Sequence, residues 1–442
     1  MRVRSTLARM GKDVAHEVVV NVLAAVALAA IAFVFLGGRI EDLYTLARGP
    51  APVSGQVTVL AIDEEALYLW DPTNPEPEVT PRALLAELVQ FLSAAGASVV
   101  VLDILTDLPG PGDDPLGRAV ATHPRLVLAE RFAPRPGGLP FAAGSVFGDQ
   151  GVTAYANLGL EEQTLFSGEM LVRSAPLVTR VARARLTAPF PSGLVGGRQD
   201  DAGPMPALAF AAASLHARDA APTELQAALE TQCPTGPCAV GLEEFGLPPS
   251  PVPLDAPLTL NFRGPEGADG LPYVSAARLL RSTGEVALAR TLGLDLPLTV
   301  PDDLAPLFAD RVVVVGRVDA ASGDRFVTPY SFPALQTADM SGVRIHAQLI
   351  DTLLTGHHVR RVGRWGVWGI ALVVGGLCVV TRRSLGDIHL LAWLAVGGLL
   401  VAACALLFAQ TDGLVVDLGP TLAVLSATLV AVHLYQRNED AE

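Results

Sequence analysis

The sequence predicts an α/β domain with a largely parallel central sheet flanked by helices, joined to four membrane-spanning helices, one N-terminal and three C-terminal. Three observations predict it. Long windows without charge recur near both ends of the 442-residue chain. Between them, short runs of valine, leucine and isoleucine end in aspartate or glycine, the pattern of strands buried on both faces. Two of those runs also flank a helical pattern within about 45 residues, the spacing of a β-α-β crossover, which implies parallel strands.

The membrane windows are Val18–Gly37, Trp365–Val380, Leu390–Ala409 and Leu418–Tyr435. The second is short, about 24 Å at the helical rise, and needs some of its flank to span. A single such window could be a buried core helix; four, three of them in close succession, read as membrane helices. Arg2, Arg4, Arg9 and Lys12 precede the first and place the N-terminus in the cytoplasm. The central domain is then outside, and the Arg382–Arg383 loop returns inside, in agreement. Arg360, Arg361 and Arg364 fall on the side the rule disfavours. The first window is longer than an ordinary signal core and lacks a small-residue cleavage site, which favours an uncleaved anchor over a signal peptide. The expected segments are a 1–17 tail, helix 18–38, an outer domain 40–362, helices 365–380, 390–409 and 414–435, and a 436–442 tail. The location expected is a bacterial inner membrane, crossed several times, with the main domain in the periplasm or outside the cell.

Charge is uneven. Residues 40–360 hold 37 Asp and Glu against 21 Arg and no Lys, a net of −16, and the remainder is +2. An acidic outer domain argues against nucleic acid or anionic lipid as its main partner and is compatible with a basic partner, a cation or plain solubility. Cys233 and Cys238, in CPTGPC, suit a short-loop disulfide in an oxidising compartment. No neighbouring His or Cys completes a tetrahedral metal set around them.

Along the outer domain, QVTVLAID (Gln56–Asp63) reads as a strand. A proline-rich connection leads to a helix over Pro81–Ala95, with Thr80 as N-cap, Pro81 at the first helical position and Gly96 at the end. SVVVLD (Ser98–Asp103) and RLVLAE (Arg125–Glu130) are further strands. From 133 to 256 only Ala207–Ala220 has a clear, helical pattern. LTLNF (Leu258–Phe262) and RVVVVG (Arg311–Gly316) resume the strand pattern, and Gly342–Gly356 is a helix, apolar at Ile345, Leu349 and Leu353.

The loops after these strands hold the candidate ligand residues: Asp63, Asp103, Gly316, Asp319, Asp324, Arg325 and Thr328. In open parallel sheets ligands collect outside the carboxyl ends of strands. Close carboxylates repel unless they share protons, a cation or Arg325, so a hard-cation or amine site is one reading. The plainer one has each aspartate capping a turn or helix. The sequence lacks the GxSxG, HExxH, Walker and GxGxxG motifs, and no histidine has a nucleophile beside it, so an enzyme is not expected and no cofactor is assigned. His346 reads as a packing or capping residue. His357 and His358 mark the end of its helix.

The pieces VTVLAIDEEAL, the helix ending Gly96–Ala97 before VVVLDIL, LTLNFRGP with the later YVSAARLL, and FADRVVVVG, DRFVTPY and MSGVRIHAQLIDTLLTG together resemble the CHASE-type-2 domain (cyclase/histidine-kinase-associated sensory extracellular, second class) over residues 55–362. The closing segment is the most specific. The layout of one helix before and several after is similar too. The sequence departs from the family in keeping only Pro81–Arg82 of a longer tryptophan- and proline-containing stretch. It also reads TLFSGEMLVR where an Asp-x-Asp-Gly is usual before an arginine, retaining Gly168 and Arg173. Relatives usually continue into a kinase, cyclase or other effector, whereas this chain reaches Glu442 soon after its last helix. The resemblance therefore implies a sensor without its own output, reading an unidentified small-molecule, peptide or protein ligand on the outer face and passing a signal to a separate envelope or cytoplasmic effector. A homo-oligomer is compatible with it. The alternative is a structural or assembly subunit of an envelope complex, for which Gly375–Gly376 and Gly397–Gly398 would allow close helix packing.

Overall fold

The computed structural model describes residues 40–133, 141–143, 145–148, 151–162, 170–186, 194–195, 203–233, 238, 240–250, 253–282, 300–331, 339–385, 389–411, 413–418, 420–422 and 424–430. The chain forms two compact units, Gly49–His358 and the remainder, which joins the segment up to Arg48 with that from Val359 onward.

The Gly49–His358 unit is built on six parallel strands. In chain order they are β1 (Val57–Ile62), β2 (Val99–Asp103), β3 (Leu126–Ala133), β4 (Val152–Tyr155), β5 (Tyr273–Ser275) and β6 (Val312–Arg317). Their spatial order is β4-β3-β2-β6-β1-β5, every pairing parallel. The valine run of β6 therefore occupies the centre, between β1 and β2. Successive side chains point to opposite faces, so a strand covered on both sides must be apolar at every position. Leu60, Ile62, Val100, Leu102, Leu128, Val313 and Val315 share one buried cluster with helices α3 (Arg82–Ala94) and α4 (Asp113–Thr122). Val59, Val101, Val127 and Val314, on the opposite parity, are equally buried. Helices α5 (Leu208–Arg218) and α7 (Gly342–Thr355) pack against strands of this sheet, while α6 (Pro222–Gln232) packs on α5.

Two expectations shift. Helix α3 begins one residue later than read, with Pro81 as its N-cap and no side-chain capping bond, so Thr80 does not cap it. The segment around Leu258 does form a strand, Pro257–Thr259, but outside the parallel sheet. It pairs antiparallel with Met170–Pro176, which also pairs with Gly159–Glu162. The 133–256 region, unreadable by periodicity, supplies this second sheet, β4, and the Val178–Leu186 strand that extends the main sheet. Cys233 and Cys238 are joined as a disulfide, their Cα atoms 4.8 Å apart.

The second unit contains α1 (Ile40–Arg48), α8 (Arg364–Leu385) and α9 (His389–Thr411). The last two are long and apolar enough to cross a membrane. Their large apolar side chains point outward: Leu372, Val380, Leu391 and Leu399 are each more than two-thirds exposed. A soluble core helix would bury such residues, whereas lipid-facing ones need no cover. A shorter apolar helix, Pro420–Val430, lies in the fourth window. The first window, Val18–Gly37, lies outside the described residues, so two of the four expected spans are seen as long apolar helices.

Gly316 shows how tightly α7 sits on the sheet. A Cβ there would lie 2.8 Å from both Cβ and Cγ2 of Val343. Gly316→Ala is therefore expected to destabilise the protein by about 1–3 kcal/mol, the usual cost of overpacking. Adding Val343→Ala should recover part of that loss, a non-additivity that thermal unfolding of the single and double variants measures.

Candidate functional site

The carboxyl ends of the central strands bring two of the candidate aspartates to one place. Asp103 ends β2 and is paired in register with Gly316 of β6. It continues the parity of Val99 and Val101, the face on which α7 lies, because Gly316 on the same face touches Val343. Asp324 arrives from the other side. Its backbone carbonyl accepts the Gly342 N–H (3.0 Å) at the start of α7, after a turn at Gly323 in the left-handed region (φ 64°). Its carboxylate lies so close to Gly342 that a Cβ there would fall 2.3 Å from Oδ2. The N-terminus of this 14-residue helix favours that negative charge.

His346 completes the group. Its Nε2 lies 4.0 Å from Asp103 Oδ1 and 3.2 Å from the Ala156 carbonyl oxygen. A carbonyl only accepts, so Nε2 carries the proton and Nδ1 is the bare acceptor. Both side chains are buried, 4% exposed for His346 and 8% for Asp103. Neither Asp103 Oδ2 nor His346 Nδ1 has a hydrogen-bond partner in the protein.

Burial dictates the protonation states. Removal from water pushes the Asp103 carboxyl up to about 7. Asp324 is raised to about 6, by burial first and then by the like charge of Asp103, with His346 opposing. Burial lowers His346 to about 4 despite the nearby Asp324 charge and the Ala156 carbonyl. Near neutral pH the imidazole is uncharged, and the two carboxyls carry between one and two negative charges, the remaining fraction of a proton resting mainly on Asp103.

The other candidates are occupied elsewhere. Asp63 is the N-cap of α2 (Glu64–Trp70), accepting the Ala66 N–H at 2.9 Å. Asp319 forms a two-pronged ion pair with Arg317 (2.7 and 2.6 Å), and Arg317 also donates to the Pro77 carbonyl (2.8 Å), fastening the proline-rich connection. Arg325 pairs with Glu266 at 2.7 Å and donates to the Asp339 carbonyl, so it does not neutralise the aspartates. Thr328 is buried in a turn, its N–H donating to Ser331 Oγ (3.0 Å) and its Oγ1 accepting from Tyr330 N. Gly316 admits α7. Among the described residues, no group of three or more His, Cys, Asp or Glu side chains is arranged to hold a metal ion.

His346 is the residue that the sequence reading placed in the packing. A histidine two positions from Arg344 and Gln348, inside a helix with a regular apolar face, offers no local sign of its partners; those lie on β2 and in the turn before the helix. The opposite side of α7 is also polar, and its charges face opposite charges. Arg344 makes a two-pronged pair with Asp269 (2.6 and 2.7 Å), Gln348 donates to Asp269 (3.0 Å), and Asp351 accepts from Ser54 N and Oγ (2.8 and 2.6 Å) beside Arg263 (3.4 Å). The NFRGP motif thus anchors the helix through its side chains.

A family model described as the CHASE2 domain matches residues 19–399, most of the chain. The chain belongs to the CHASE2 family, whose domains are extracellular and sensory. No curated protein and no solved structure matches it.

Asp103 holds its proton more tightly folded than unfolded, so its contribution to stability is fully present below about pH 4 and is lost as pH rises through about 7. Asp103→Asn carries no charge at any pH. It is expected to be more stable than wild type at pH about 8, by up to a few kcal/mol, with the advantage shrinking as pH falls toward about 4. His346 works oppositely, its cost appearing as pH falls from about 6.5 to about 4, so the comparison is read above about pH 6.5, where the imidazole is neutral in both proteins. Thermal unfolding of both proteins across that range checks it. Separately, Asp269→Ala leaves Arg344 buried without its partner and should cost about 3–5 kcal/mol in the same assay.

Proposed function

We propose, from this membership, that the protein is a membrane-anchored extracytoplasmic sensor of a bacterial inner membrane that passes its signal to a separate effector protein. The observation that carries the reading is the course of α7. It begins at the Asp103–Asp324–His346 junction, is buried from Gly342 through Leu353, and ends at Gly356, after which the chain continues directly into the unit that holds the long apolar helices. A ligand changes such an element only by binding one of its arrangements better than another. Binding is favoured by the burial of Asp103 and His346, which leaves only the partly buried Asp324 within reach of solvent.

A second reading, an assembly subunit of an envelope complex, draws on Gly376 and Gly398. An added Cβ on either would meet nothing, which leaves bare backbone on α8 and α9 for another helix to approach.

Protease added to cells with a permeabilised outer membrane is expected to cut within residues 49–358 while an N-terminal epitope stays protected. Protection of the domain together with cleavage of the epitope would reverse the topology and end the sensor reading. Gentle detergent extraction separates the two functions: a substoichiometric effector whose recovery changes with the domain's ligand state supports the sensor, and a constant stoichiometric set of envelope proteins supports the assembly subunit.

A further inference from the structure

Resting on the sensor reading above, we propose that Asp103, Asp324 and His346 form a proton-binding site, and that the ligand this domain reads is the hydrogen ion, through the seating of α7 on the sheet.

Size is the first argument. Asp103 and His346 lie between the sheet and α7, each side chain more than nine-tenths buried, and Asp324 is partly buried in the turn before α7. Two buried polar atoms, Asp103 Oδ2 and His346 Nδ1, lack protein partners. Other buried atoms without a hydrogen bond, such as Arg263 Nε and Asp351 Oδ2, face an opposite charge, whereas a neutral imidazole faces Asp103. The three side chains do not converge as metal ligands do. The smallest cation is the one such a site accepts without opening.

Charge is the second argument. Among the described residues, the ionised groups that pack around this one have partners of their own. On α7, Arg344 is held by Asp269 and Asp351 lies beside Arg263. Arg317 of β6 is held by Asp319, and Arg325, after the turn, by Glu266. Asp63 beyond β1 caps α2, and Glu130 of β3 accepts the Ser145 N–H. On α5, which packs against α7, His216 is bonded to Ser98 Oγ. Asp103 and Asp324 therefore act on each other and on His346, and among the described residues neither is paired with an arginine. That condition lets Asp103, buried near a second carboxyl, hold a proton near neutral pH, as the raised carboxyls indicate.

Position is the third. Asp324 touches the first residue of α7 and His346 lies on its second turn. With one proton on the carboxyl pair, a single negative charge faces the helix N-terminus. Loss of that proton puts a second charge in the same enclosed space, and the repulsion acts on α7 where it meets Gly316 through Val343. Only the protonation state changes, by one hydrogen ion exchanged with water.

The test is an infrared titration of the full chain in lipid nanodiscs from about pH 5 to about pH 9, spanning the expected midpoint near 7. A protonated-carboxyl band is expected to fade with that midpoint, accompanied by a change in the amide I band. Asp103→Asn should abolish the band. Asp324→Asn should lower its midpoint by about one unit, because the like charge is gone. If Asp103→Asn does not fold, the Asp324→Asn shift decides alone. No titrating band, a band unchanged in both variants, or a band without any amide I change each overturns the proposal. The topology experiment does not depend on pH, so the sensor reading can survive this failure with a different ligand.

Discussion

A helix that carries an arginine, a histidine, a glutamine and an aspartate, yet is buried from its first residue through Leu353, constrains everything around it. Each polar group taken from water costs several kcal/mol unless matched. Helical spacing puts Arg344, Gln348 and Asp351 along one side, and Asp269, Arg263 and Ser54 are there to meet them. The 261–271 loop is therefore shaped by the helix it serves. Arg263 donates its backbone N–H to Gln348 as well as facing Asp351, so backbone and side chain hold one contact.

The other side of the same helix is treated differently. His346 meets two carboxyls with no cation to settle them, in a domain whose remaining buried acids on neighbouring elements are individually matched. Stability alone would favour filling that space with apolar side chains, as the rest of the sheet face is filled. That cost, left standing in the interior, is what the proposed proton site draws on.

Much of the sheet was legible in the sequence because strands covered on both faces leave an unmistakable run of valines and leucines. Val57–Ile62, Val99–Asp103, Leu126–Ala133 and Val312–Arg317 all lie within a few residues of where periodicity put them. The order was not legible: nothing local says that the last strand in sequence inserts between the first two. The antiparallel segments between 141 and 206 were unreadable because short strands rich in Pro, Gly and Ala draw their stability from pairing with distant chain. At the site, the strand-end rule drew attention to Asp103 and Asp324 but equally to Asp63 and Asp319, whose partners Ala66 and Arg317 are their own near neighbours. His346 was missed because its role comes from two long-range contacts and none from its helix.

The end of α7 has a mechanical corollary. Gly356 closes the helix in the left-handed region (φ 71°), where a Cβ would fall 2.5 Å from Pro248, and Asn261 Nδ2 donates to the next carbonyl, His357 O, at 2.9 Å. The exit of the chain is clamped from both sides. Fraying of the last turn would break these contacts, so the C-terminal end of α7 is held as firmly as its buried middle.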